Sequence, residues 1–126
     1  MAETEVTSGV QSNVKLIYYR YDAKYKDILP VWDALPLVFP ISYTGNGFYG
    51  VNLHFLGPEA GEVLDYVKFQ LSISAGESQI FKFLAYFESG LHRYRFDCIR
   101  SDIVTVSIND WDENIMKRFP PQFIQR

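Results

Sequence analysis

Over residues 35–56, LPLVFPISYTGNGFYGVNLHFL, apolar positions recur with a period of two on both sides of a glycine-rich turn. Leu35, Leu37, Phe39 and Ile41 share one face of a first strand, and Pro36, Val38, Pro40 and Ser42 share the other. Proline has no N–H to give to a ladder, so this strand is expected at an edge or paired on one side only. Thr44-Gly45-Asn46-Gly47 then reads as a tight turn, because Asn-Gly accepts the positive φ of a hairpin. Beyond it Tyr49, Val51, Leu53 and Phe55 form the expected apolar face, with Phe48, Gly50, Asn52 and His54 opposite. A glycine in mid-strand points to a bulge or a close backbone approach at Gly50.

Around this hairpin the chain alternates between periods. Residues 14–21, VKLIYYRY, are rich in β-formers and predict a strand. Residues 22–34 mix charge with Pro30 and predict a loop with one helical turn, packed down by Ile28, Leu29 and Trp32. Gly57-Pro58 ends the hairpin, and Val63, Leu64, Val67 and Leu71 predict a helix over 59–73 with Glu59 and Glu62 in its first turn. Ile80, Phe81, Leu84 and Phe87 predict a second helix over 77–89, capped by Gly90. Strands follow in YRFDCIR and DIVTVSI, and a short helix opens near Asp110 and ends before FPPQF. The order predicts an α+β domain: a small curled antiparallel sheet, an SH3-like partly open barrel, with a two-helix insertion. A flatter sheet covered by two helices on one face is the alternative. Residues 1–13 read as a polar N-terminal tail and 14–126 as a single domain.

Composition narrows the function. The 126 residues are 48 % hydrophobic and 17 % aromatic, with ten Phe and nine Tyr, more than one small core needs. Surplus aromatics are expected at a protein interface, and Tyr25, Trp32, Phe39, Tyr43 and Phe48 are the candidates. A net charge of −3 offers no global attraction for nucleic acid or acidic membranes. A local basic set, Lys24, Lys26, Arg93, Arg95 and Arg100, interleaves with Tyr94 and Phe96 and is the candidate nucleic-acid contact.

Catalytic chemistry finds little purchase. His54 with Asn52 suits a general base or a histidine hydrogen-bonded within the fold, and His92 has no partner at metal-ligand spacing. Asp102, Asp110, Asp112 and Glu113 lack the spacing of a cation loop, and TGNGFYG lacks the lysine and helix of a phosphate loop. Cys98 is the only cysteine and reads as a buried thiol. No enzyme, cofactor or metal is expected. No stretch is long and apolar enough for a membrane span, and the N-terminus lacks the regions of a signal peptide.

Three segments carry a resemblance. Tyr21 to Lys24, Leu29 to Leu37 with its Leu-Pro-x-x-Asp-x-x-Pro-Leu pattern, and Gly47 to Leu56 with Gly-Phe-x-Gly-x-Asn-Leu-His-x-Leu resemble a family of small proteins of large contractile-tailed bacteriophages. The closing residues 108–119, with Trp111, are similar too, so the resemblance covers about half of the chain. It implies a phage protein that is a virion or DNA-handling component. The leading expectation is a non-enzymatic virion structural or assembly protein, assembled in the host cytoplasm. It would join other phage structural proteins in a hetero-assembly through its tail, the Trp32 loop and an edge strand. The alternative is a DNA-associated factor acting at DNA ends or in packaging, with a steep salt dependence of binding; a host-directed inhibitor built on Asn52 and His54 is a third.

Overall fold

The computed structural model describes residues 13–125, so the expected polar tail lies outside the described residues except for Asn13. Seven strands are described: β1 Ile17–Tyr18, β2 Val31–Asp33, β3 Leu37–Thr44, β4 Gly47–Asn52, β5 Leu91–Arg95, β6 Val104–Thr105 and β7 Phe123–Gln125. Three helices accompany them: α1 Glu59–Ser72, α2 Glu77–Ala85 and the single turn α3 Ile115–Arg118. Five strands form one antiparallel sheet in the order β5-β4-β3-β1-β6, and β2 pairs with β7 in a separate ribbon. The chain is α+β, but the strands do not close an SH3-like barrel, because β5 and β6 stand at the two ends of the order. The sheet is instead open, with helices on one face.

Each face of the sheet is covered for a different reason. Leu37, Phe39, Val51 and Leu53 meet Ala60, Val63, Leu64 and Val67 of α1 and Ile80 and Leu84 of α2, and this is the main core. The i, i+3, i+4 spacing read along the sequence therefore marks the faces that these helices bury. Gly57 takes a φ of +58, which lets the chain turn sharply into Pro58 and the acidic first turn of α1. The opposite face, expected to be polar, is a second core of Ile17, Tyr19, Tyr21, Val38, Phe48 and Tyr94. Its rings meet edge to face, with Tyr21 and Tyr94 5.1 Å apart and Tyr19 and Tyr94 5.9 Å apart. Phe48 and Asn52 are therefore buried, and Tyr49 is the exposed residue of β4. Val51 and Leu53 fill the main core as expected, but Tyr49 of the same expected apolar face is exposed, residues 53–55 leave the strand for a 3-10 turn, and the other face is not polar because a second core covers it.

The prolines and glycines have positional roles. β3 is central over Leu37 and Val38, where β1 pairs with it, and has only β4 as a neighbour from Phe39 onward. Pro40 thus sits where one side of the strand is unpaired, and the register shifts between Pro40 and Ser42. The loop residues of the hairpin are Gly45 and Asn46, with Thr44 paired to Gly47. Among the described residues only Gly57 and Ser74 have positive φ, so the turn does not use the backbone that Asn-Gly favours. Gly47 is required for another reason: a Cβ there would lie 2.0 Å from the Tyr94 carbonyl oxygen of β5. At Gly50 a Cβ would lie 2.3 Å from Val38 Cγ1. Ile28, expected to pin the 22–34 loop, is instead 69 % exposed.

Replacing Gly47 by alanine should force β4 and β5 apart and cost about 2–3 kcal/mol. Urea denaturation of G47A against G45A, where added methyl groups meet open space, measures the difference.

Candidate nucleic-acid interface

A pocket of about 300 Å³ opens between residues 23–29, β2 and the free edge strand β5. Three of the five basic candidates, Lys24, Arg93 and Arg95, line it together with Tyr25, Trp32 and Phe55. Residues 60 to 70 positions apart in sequence are brought together because β5 pairs with β4 alone, leaving its outer edge to the loop from β1. Tyr21 spans the gap: its hydroxyl accepts the Arg95 amide at 2.9 Å, and its amide donates to the Ala34 carbonyl at 2.9 Å.

The basic residues are not equally available. Arg95 donates from Nε and Nη2 to the two carboxylate oxygens of Asp97 at 3.0 and 2.9 Å. That bidentate bond is the main reason the Asp97 carboxyl is held down at about 2. Lys26 pairs with Asp22 at 3.0 Å, and Arg100 lies 3.9 Å from the same carboxylate while bonding the Asp97 carbonyl. Arg93 bonds only the neutral oxygens of Thr44 and Asn46, and the Lys24 ammonium lies 5.4 Å from the centre of the Tyr25 ring. Arg93 is thus the candidate cation for which no carboxylate partner is described, while Lys24 is in no described ion pair and acts on the Asp97 carboxylate only as a nearby charge. Surface pairs are weak, but a phosphate must still compete with Asp97 and Asp22 for the other three.

The aromatic candidates divide by burial. Tyr25 and Tyr43 are 60 % and 67 % exposed, and Trp32 is half-buried in the pocket wall. Phe39 and Phe48 are fully buried, one in each core, so neither is available for docking: Phe39 lies on the apolar face that the helices cover, and Phe48 on the face expected to be polar, which a second core covers. His92, another pocket residue, has a buried Nε2 with no hydrogen-bond partner. Burial lowers its pKa, against a smaller raising effect of a hydrogen bond to the Ser89 backbone.

Behind the pocket lies a buried polar network. Asp33, at the end of β2, accepts on Oδ2 from Asn52 Nδ2 at 3.0 Å and faces His54 Nδ1 at 2.6 Å. Its Oδ1 accepts the amides of Leu35 and Gln122, each at 3.0 Å. His54 Nε2 faces the Phe119 carbonyl at 2.8 Å, so both ring nitrogens meet oxygen atoms. The His54 and Asp33 side chains are 0 % and 1 % exposed. Burial would raise the Asp33 pKa, yet the bonds from His54, Asn52 and the two amides outweigh it and lower it. Asn52 and His54 are therefore structural here: they clamp the chain's C-terminal segment to the hairpin. Asp33 was not singled out among the candidate site residues; its place in the Leu-Pro-x-x-Asp pattern was the available signal.

No group of three or more metal-ligating side chains occurs among the described residues, and no described helix is long and apolar enough to cross a membrane. The sequence model of the phage T4 terminal DNA protecting protein family matches residues 4–125. No curated protein and no solved structure matches the chain.

A lowered carboxylate pKa stabilises the fold above its unfolded value, near 4, and that contribution is lost as pH falls through the folded value. Asp33→Asn should cost about 3–5 kcal/mol at neutral pH and flatten the loss of stability below pH 4. Urea midpoints between pH 7 and 2 read both effects, and D97N, on the surface, should leave the neutral-pH midpoint almost unchanged.

Proposed function

The chain belongs to the phage T4 terminal DNA protecting protein family, and from that premise we propose that it is a non-enzymatic phage protein that binds the ends of DNA. The family's description favours the DNA-associated alternative over the purely structural reading. The observation that carries the proposal is the convergence of Lys24, Arg93 and Arg95 with Tyr25, Trp32 and Phe55 around one pocket. Cations beside exposed aromatic rings suit phosphate contact and base stacking together. A role in the particle, through contacts with other phage proteins, fits the same reading: the exposed residues Tyr43, Phe69 of α1 and Tyr86 just after α2 remain for protein contacts.

The charge distribution argues for ends over duplex tracts. A protein that coats duplex needs many uncompensated cations, because each neutralised phosphate contributes about −0.9 to the slope of log K against log salt. Here the net charge is −3, and three of the five candidate cations are engaged by Asp22 and Asp97. The steep salt dependence expected from five free cations becomes a slope of roughly −2 from Lys24 and Arg93.

Fluorescence anisotropy with a short linear duplex at 50–300 mM salt measures that slope. Lys24→Ala and Arg93→Ala should each reduce its magnitude by about 1, and a slope near zero in the wild type would overturn the assignment. Asp97→Asn should act in the opposite direction, freeing Arg95 and steepening the slope by about 1; weaker binding by D97N would remove Arg95 from the interface.

A further inference from the structure

We propose that the pocket between residues 23–29, β2 and β5 receives one unpaired terminal nucleotide, its base against Tyr25, Trp32 and Phe55 and its phosphate facing Arg93 and Lys24. This rests on the DNA-end reading above and deepens it, by specifying what distinguishes an end from the interior of a duplex.

The first argument is size. At about 300 Å³ the cavity is at the lower limit of ligand pockets. It cannot admit a double helix, whose major groove alone is about 12 Å wide. It can admit a single nucleotide once that nucleotide has left the stack. Extrusion from the interior breaks pairing and stacking on both sides, and the cost is least for a base that is already unpaired. A terminal nucleotide has a stacking neighbour on one side only. A pocket that takes one free nucleotide therefore selects ends without reading sequence.

The second argument is the chemistry of the wall. Every base has a π-face, so stacking on aromatic rings tolerates any terminal base. Trp32 is held in place because β2 pairs with β7, Trp32 opposite Ile124, and Asp33 next to it is fixed by the buried network. The lining also carries Tyr25, 60 % exposed, with Lys24 beside its ring. A held, half-buried ring and an exposed one in the same lining suit a base that enters from solvent. His92 Nε2 is a buried acceptor in the same wall without a donor, a loose end unusual in a surface with no ligand. Arg93 lines the pocket while its guanidinium bonds only the neutral oxygens of Thr44 and Asn46 in the hairpin turn, bonds that a phosphate can displace.

The test compares one duplex sequence in three forms with the full chain: both ends closed by loops, both ends blunt, and one end carrying a single unpaired nucleotide. Affinity is read by anisotropy, and stacking by quenching of tryptophan fluorescence, since Trp111 is buried at 3 % exposure and supplies a constant background. The expected order is unpaired over blunt by about ten-fold and blunt over closed, with quenching by the unpaired end. Trp32→Phe should keep the preference for the unpaired end, and Trp32→Ala should lose it. Tyr25→Ala, at an exposed position, keeps the test open should W32A fail to fold; it should weaken the unpaired end about five-fold more than it weakens the closed form. Blunt and unpaired ends bound equally, both above the closed form and without quenching, would overturn the pocket and leave the end-binding reading standing. Equal binding of all three forms, or of none, would overturn both.

Discussion

The buried carboxylate of Asp33 is the interaction on which the arrangement depends. Its two oxygens meet four hydrogen-bonding partners: His54, Asn52 and the amides of Leu35 and Gln122. Those partners belong to the segment entering β3, the end of β4 and the approach to β7, which would otherwise have only short ladders to hold them together. β2 and β7 are three residues each, too few to stand alone in water. A desolvated carboxylate is costly when any partner is missing, so the network is all-or-none, and that property makes three weak segments into one unit. The residues that carry the family motifs make physical sense in this light. Asp33 comes from one motif and Asn52 and His54 from another, and the glycines of the second let β4 lie against β5 and β3.

The same network forms the back of the basic, aromatic pocket. Trp32 precedes Asp33, Phe55 follows His54, and both face the pocket because the clamp beneath them is closed. A rigid wall on a small domain lowers the entropy to be lost when a ligand is ordered there. With few free cations, an acidic protein gains little from long-range attraction to duplex DNA. Affinity in such a protein must come from short-range contact, and short-range contact with a terminus is specific by geometry. Under the proposed DNA-end reading, the ion pairs to Asp97 and Asp22 would compete with phosphates and keep nonspecific binding low.

The division between what could and could not be read from the chain is itself physical. The hairpin, the Gly57 break and the first long helix depend on local periodicity and on a residue with unusual backbone freedom, and they were legible to within a few positions. The second helix, expected over 77–89 with Gly90 as its cap, ends at Ala85 with Tyr86 as its C-cap, and Gly90 lies in a separate 3-10 turn. The ribbon of β2 and β7 was not legible, because three-residue strands 90 positions apart have no local pattern. The polar face of β4 was misjudged, since alternation says which residues share a face and never what covers it. That error placed Phe48 on the surface and left Asn52 looking like a site residue.

From the sequence by itself came the α+β class, the hairpin, the presence and starts of the two long helices and a small basic, aromatic set. These follow from composition and from interactions within a few residues. Only the tertiary structure decided that the sheet is open and buried on both faces, that Asp33, Asn52 and His54 are one clamp, that Lys24, Arg93 and Arg95 share a pocket, and that Lys26, Arg95 and Arg100 are engaged by carboxylates. Each of those facts depends on which distant residues become neighbours, and hydrogen bonds, burial and ion pairing act over a few ångströms of space whatever the separation along the chain.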